Sequence, residues 1–265
     1  MSLVETREAL IDEIQEGIAV IADYHPMKEI GEVFENLASQ FQALGICNLL
    51  LSSDMEGLSR NLVMSGFTRR YFLSRCEIEG NRGDEHLAVS RNESIFDLLA
   101  VDAQDLANEV VGLSSRDWIP DGEYEDDFCY YFFIHNYIQR YQRSDKKVLE
   151  QILNRFELCL ESEITPRLRI CRSLFSLDQQ EFEAALEDLI REREDQVDSG
   201  TDIDNLVIEP RRHIFVEGLG LLHIAAKAGF VIENEYKYCP NVMERGGKHT
   251  FPEDIYMQME RQYPR

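Results

Sequence analysis

Apolar residues recur at three- and four-residue intervals along most of the chain, and strand-like alternation is scarce. Residues 3–22 place Leu3, Leu10, Ile14, Ile18 and Ile21 roughly on one side of a predicted helix. A second helix is predicted in "HPMKEIGEVFENLASQFQALGICNLLLS". There Pro26 suits a first turn, and Ile30, Val33, Phe34, Leu37, Phe41 and Leu44 keep helical spacing. A third covers residues 55–76. Glycines and local charge interrupt the pattern at 77–86, at 114–127 and in the acidic stretch 194–205, which read as loops.

Two stretches nearly superimpose: "IFDLLAVDAQDLANEVVGL", residues 95–113, and "SLFSLDQQEFEAALEDLI", residues 173–190. Asp102 matches Asp178, Asp105 matches Glu181, Leu106 matches Phe182 and Val110 matches Leu186. Asp145, in "YIQRYQRSDKKVLEQILNRFEL", plays the same part less clearly. In each stretch an apolar helical run stops at a short polar joint and then resumes. An aspartate in such a joint can accept a hydrogen bond from the backbone N–H groups that open the next helix. Its charge also suits the positive end of the helix dipole. An acid three residues on, Asp105 or Glu181, resembles a capping box. The joints are therefore expected to be turns between antiparallel helices rather than reactive acids. They lie about 43 and 33 residues apart, too unevenly for the fixed period of a solenoid.

The last long apolar run, "PRRHIFVEGLGLLHIAAKAGF", is apolar around most of its circumference and predicts one central, buried helix from Pro210 to Gly229. Gly229 followed by Phe230 fits a Schellman-type stop. The tail, 231–265, is expected to wrap the surface, with a short helix over 252–261. The predicted fold is all-α: antiparallel helical hairpins in a degenerate, repeat-like bundle of the TPR or HEAT kind. About ten helices are expected at ordinary helix lengths. The chain reads as one domain over 1–265, with a sub-division into 1–90 and 91–265 left open.

Charge narrows the partners. The 265 residues carry a formal net charge of −23, with 44% hydrophobic and 10% aromatic residues interspersed. That mixture is globular rather than a disordered acidic tail. An acidic surface repels nucleic acid and anionic membranes and speeds encounter with basic partners. The six cysteines form no CxxC pair, no basic-then-apolar leader opens the chain, and no run of 18 apolar residues occurs. The expectation is a soluble cytoplasmic protein with reduced, mostly buried thiols.

Motifs for chemistry are missing. There is no HExxH, zinc-finger spacing, phosphate loop or GxSxG; "MERGGKHT" lacks the lead-in and helix of a phosphate loop. No catalytic residue, metal site or cofactor is predicted. Two constellations remain. His213 and Glu217, four apart, would share a face of the last helix, as an acid–base or metal pair or, the favoured reading, a structural pair near Arg211 and Arg212. "DGEYEDDFCYYFFIHNYI" crowds Asp121, Glu123, Glu125, Asp126 and Asp127 around Tyr124, just before an aromatic run. Acids at a helix start explain part of this. The spacing of a calcium loop is absent. An acidic, tyrosine-rimmed surface for a basic protein is the functional reading, with Asp121, Glu123, Tyr124, Glu125, Asp126 and Asp127 as candidate contacts.

"LRICRSLFSLDQQEFEAALEDLI" followed by "RRHIFVEGLGLLHIAAKAGFVIENEYKYCP" resembles the all-helical immunity protein 49 family of bacterial polymorphic-toxin systems. The likeness covers roughly 127–240, including the closing "YKYCP". It implies an antidote that binds a cognate secreted toxin and blocks it by protein–protein contact, with no catalytic residues of its own. An acidic antidote suits a basic toxin such as a nuclease, through electrostatic steering. The competing reading is a helical scaffold or adaptor that holds a peptide or regulatory protein on a concave surface.

Overall fold

Several helix starts are set by polar side chains that catch the first free backbone N–H groups. Ser2 and Glu5 cap each other: the Glu5 carboxylate accepts the Ser2 N–H at 2.8 Å, and the Ser2 hydroxyl accepts the Glu5 N–H at 3.3 Å. Helix α1 follows, Leu3–Asp23. Asp54 accepts the Gly57 N–H at 2.8 Å and opens α3, and Thr165 with Pro166 opens α8. The computed structural model describes residues 1–23, 29–82, 84–139, 146–161, 163–199, 206–240 and 255–262.

In order the helices are α1, α2 (Gly31–Ser52), α3 (Met55–Glu79), α4 (Ser94–Ala100), α5 (Gln104–Leu113), α6 (Glu125–Gln139), α7 (Lys146–Cys159), α8 (Pro166–Ser176), α9 (Gln179–Ser199), α10 (Ile208–Arg211), α11 (Val216–Ala228) and α12 (Ile255–Gln262). Two short 3-10 turns, Glu85–Leu87 and Val89–Arg91, separate α3 from α4. Among the described residues there is no strand, only a bridge between Tyr236 and Cys239. Among the same residues no helix is long and apolar enough to cross a membrane. The fold is all-α, as the periodicity predicts.

Helices α1, α2 and α3 pack in succession, and α3 then receives both α4 and α5. Every residue of α4 is buried. It lies between α3 and α11, and two glycines permit the close approach. A Cβ on Gly66 would sit 2.4 Å from Leu98 Cδ2, and one on Gly220 would sit 3.0 Å from the Phe96 carbonyl oxygen. Helices α6 with α7, and α8 with α9, form the other half. One contiguous buried cluster runs from Ile14 in α1 to Met259 in α12.

The two look-alike joints have the same backbone. Ala103 N–H donates to Leu98 O at 2.9 Å, and Asp178 N–H donates to Ser173 O at 2.9 Å. Asp102, φ 54°, and Leu177, φ 59°, occupy the left-handed position in each. The hydrogen bonds equate Asp102 with Leu177 and Ala103 with Asp178, one residue away from the alignment that the sequence suggests. Asp178 caps α9, accepting the Glu181 N–H at 3.1 Å. Asp102 does not cap α5; Ala103 holds that position and makes no side-chain cap. The flanking helices do not repeat one another either, because α4 packs mainly on α11 whereas α8 packs on α9. The third expected joint, at Asp145, lies outside the described residues, as do Pro26 and Pro252.

Two boundaries differ from expectation. Helix α9 runs on to Ser199, so the first part of the predicted loop 194–205 is helical. The predicted helix from Pro210 to Gly229 is two helices. The Phe215 N–H donates to the Tyr238 carbonyl at 2.8 Å instead of continuing a helical ladder, so α10 ends and α11 begins afresh at Val216. The stop at its far end is as predicted, with Gly229 at φ 98° and Phe230 N–H bonded to Ala225 O at 3.0 Å.

Candidate partner-binding surface

The stretch 121–127 separates into three environments. Glu123 points inward. Its carboxylate accepts the Ser90 N–H at 2.8 Å and the Ile119 N–H at 3.4 Å, and its carbonyl accepts the Trp118 indole N–H at 3.1 Å. It therefore ties the loop before α6 to the 3-10 turn at Val89–Arg91. Glu125 and Asp127, in the first turn of α6, reach arginines on the next two helices: Glu125 meets Arg155 of α7 at 2.7 Å, and Asp127 meets Arg167 of α8 at 2.9 Å. Burial raises the Asp127 carboxyl above its ordinary range, more than Arg167 lowers it. Asp121 and Tyr124 stay exposed, and Asp126 is half-buried at the same helix start.

Antiparallel packing then assembles a larger face. The start of α6, the end of α7 and the start of α8 lie at one end of the layer, joined by those two ion pairs. Three large apolar side chains in these segments are exposed: Tyr124 at 80%, Leu158 at 79% and Ile164 at 61%. Asp121, Glu161 and Glu163 are exposed beside them in the chain. Exposed apolar groups ringed by charge are the usual make-up of a docking surface. Leu158 and Ile164 lie in no motif, and the hairpin topology puts their segments at the same end of the layer as the segment of Tyr124.

His213 and Glu217 do not form a pair, since the helix is interrupted between them. His213 sits 3.5 Å from Glu209 of α10. Glu217 turns the other way: its carboxylate accepts the Tyr130 hydroxyl at 2.8 Å and an Arg167 N–H at 3.4 Å. Arg167 also stacks over the Tyr130 ring, 4.7 Å from its centre. Glu217 is the main reason the Arg167 guanidinium holds its proton more firmly than usual. The cluster bolts α6, α8 and α11 together.

The family model of immunity protein 49 matches residues 76–243, well over half of the chain. The chain belongs to the immunity protein 49 family. No curated protein and no solved structure gives a significant match. The immunity protein 49 region starts in the last turn of α3 and takes in every helix from α4 to α11. It is wider than the resemblance at 127–240 and includes the whole stretch 121–127 and the Arg167–Glu217 cluster. Most of α1 to α3 lies outside it, yet those helices share the same buried cluster.

One group of polar residues is not anticipated by the sequence motifs. Asp97 is buried in α4, where it accepts hydrogen bonds from Gln42 at 2.5 Å and Ser65 at 2.6 Å. Burial pushes its carboxyl up to about 6. Arg69, Asn92 and Ser114 are also buried in this half of the molecule, and His135 is buried in α6. The visible sign was an acid inside the apolar run "SIFDLLA".

Proposed function

We propose that this immunity protein neutralises a cognate, basic toxin by direct contact, through the acidic and apolar end of α6, α7 and α8. Family membership is the observation that carries the reading. The exposed Tyr124, Leu158 and Ile164 supply contact area, and Asp121, Asp126 and the neighbouring glutamates supply steering. Glu123, Glu125 and Asp127 act behind this face by holding it in shape. Inhibition then needs only occupation of the toxin's working surface, and the chain performs no chemistry.

The test is to mix the purified protein with the toxin encoded beside it and to follow complex formation and toxicity. A stable complex with loss of toxicity is expected. Asp121→Lys with Asp126→Lys should slow association and flatten its salt dependence, while Tyr124→Ala with Leu158→Ala should speed dissociation about tenfold or more. Independent migration of the two proteins sinks the function; full binding by both double variants moves the interface elsewhere.

A further inference from the structure

A polar pocket of ≈ 190 Å³ opens among α2, α3, α4 and α10. Three guanidinium side chains from separate elements line it: Arg69 of α3, Arg91 of the turn at Val89–Arg91, and Arg211 of α10. Arg69 is only 3% exposed. Its Nε donates to Asn92 Oδ1 at 2.5 Å and one Nη to the Ala88 carbonyl at 3.4 Å, while Nη1 has no partner among the described residues. No described carboxylate lies within ion-pairing distance of it. A buried guanidinium without a direct carboxylate partner is unusual, because removal from water costs on the order of several kcal/mol, and Glu35 offsets it only from a distance.

The acids of the same pocket are already engaged. Glu35 contacts His86 at 3.0 Å and Arg91 at 3.5 Å, Asp97 is held by Gln42 and Ser65, and Glu93 approaches Arg211 at 3.8 Å. Arg211 Nε and the Ser94 hydroxyl are also buried without partners among the described residues. Three guanidinium charges therefore face three carboxylates around the pocket, and Arg69 Nη1, Arg211 Nε and Ser94 Oγ are the donors left over. Guanidinium groups in such a setting select oxyanions, with which they make paired, charge-assisted hydrogen bonds.

We propose that this pocket binds a small oxyanion of the phosphate or carboxylate type, with Arg69 as its buried anchor and Arg211 and Ser94 completing the seat. The volume suits inorganic phosphate or a short dicarboxylate. It would hold about six waters at ~30 Å³ each, which is the competing occupant. The overall charge of −23 repels anions, so any affinity must come from the local arrangement of donors.

The experiment is thermal unfolding of the whole chain, titrated separately with sodium phosphate and sodium succinate, with ionic strength held constant by sodium chloride. At least one of the two should raise the midpoint in a saturable way. Phosphate alone would identify a phosphoryl ligand and succinate alone a carboxylate. Arg211→Gln should raise the half-saturating concentration about tenfold or more, the loss of one charge-assisted hydrogen bond. Arg69→Gln should abolish the shift; where that variant does not fold, Arg211→Gln and Arg91→Gln at the pocket mouth still decide. Absence of a saturable shift with both anions, or an unchanged half-saturation in Arg211→Gln, overturns the proposal and leaves the pocket to water. No toxin takes part, so the result stands apart from the fate of the toxin-binding reading.

Discussion

The α4–α5 joint and the α8–α9 joint share a backbone but not a purpose. Both turn through one left-handed residue, and in each the N–H of the following residue closes onto the carbonyl five residues back. At α8–α9 the turn is on the surface: Leu177 is 53% exposed, and Asp178 spends its carboxylate on the next helix. At α4–α5 the residues before the turn are all buried, and Asp102 reaches across to α11. It lies 3.3 Å from both His223 Nε2 and Lys227 Nζ. The His223 contact is close but not aligned as a hydrogen bond, and it becomes an ion pair only when His223 is protonated. One turn is punctuation between two helices. The other fixes a core helix against a distant one. Matching aspartates in the sequence do not distinguish the two cases, because what an acid does depends on what folds over it.

The sharpest test of this contrast sets Leu98 against Ser173, the residues that accept the closing hydrogen bond in each joint. Leu98→Ala empties a fully buried site against Gly66 and should cost roughly 2–5 kcal/mol. Ser173→Ala loses one hydroxyl bond to Ile170 O and should cost about 1 kcal/mol. Denaturant midpoints at constant m-value measure both; equal losses would erase the distinction.

Asp178→Ala should lower stability by about 1 kcal/mol, as lost caps do, and leave toxin binding intact. Asp102→Asn keeps a side chain that tolerates the left-handed turn and removes only half-exposed ion pairs. Its effect should stay below about 1 kcal/mol. A larger loss in Asp102→Asn than in Asp178→Ala would reverse the roles assigned to them. Leu177→Gly should stabilise by about 0.5–1 kcal/mol, since glycine adopts φ 59° without penalty. Asp102→Gly should bring no such gain because it also discards the contact with Lys227.

The smallest effect is in pH. Burial lowers the His223 pKa below 6.5, outweighing Asp102. The unfolded chain then binds a proton that the folded chain resists. The contribution is present above about pH 6.5, the ordinary histidine value, and is lost as pH falls through the depressed folded value. His223→Gln should flatten this part of the acid limb in urea titrations between pH 7 and 5. An unchanged slope would exclude His223 from it.

Much of the fold is legible in the apolar spacing. The long amphipathic helices, the Gly229 stop and the aspartate cap at Asp178 all depend on residues close in sequence, which is what periodicity records. The break at 212–215 is not local. It exists because the Phe215 N–H finds Tyr238 O, and nothing near Phe215 announces that partner. The same reason hides the first joint, where Asp102 answers to α11. It also hides the interior set around Arg69 and Asp97, drawn from four separate elements. At the acidic face the sequence marks Tyr124 and the helix-start acids. It does not mark Glu123 as internal, because five neighbouring carboxylates look alike until the turn at Val89–Arg91 claims one.

The placement of α4 between α3 and α11 also sets an order of assembly. Helix α4 emerges early during synthesis, but the helix that covers its second side is made only after α5 to α10. Until then its apolar flank has no lid, and contacts so far apart in the chain form slowly. A nascent chain is therefore exposed to mispairing from the release of α4 until α11 is made, just under half of its length. The seat of α4 is closed only when the last quarter of the chain has been made.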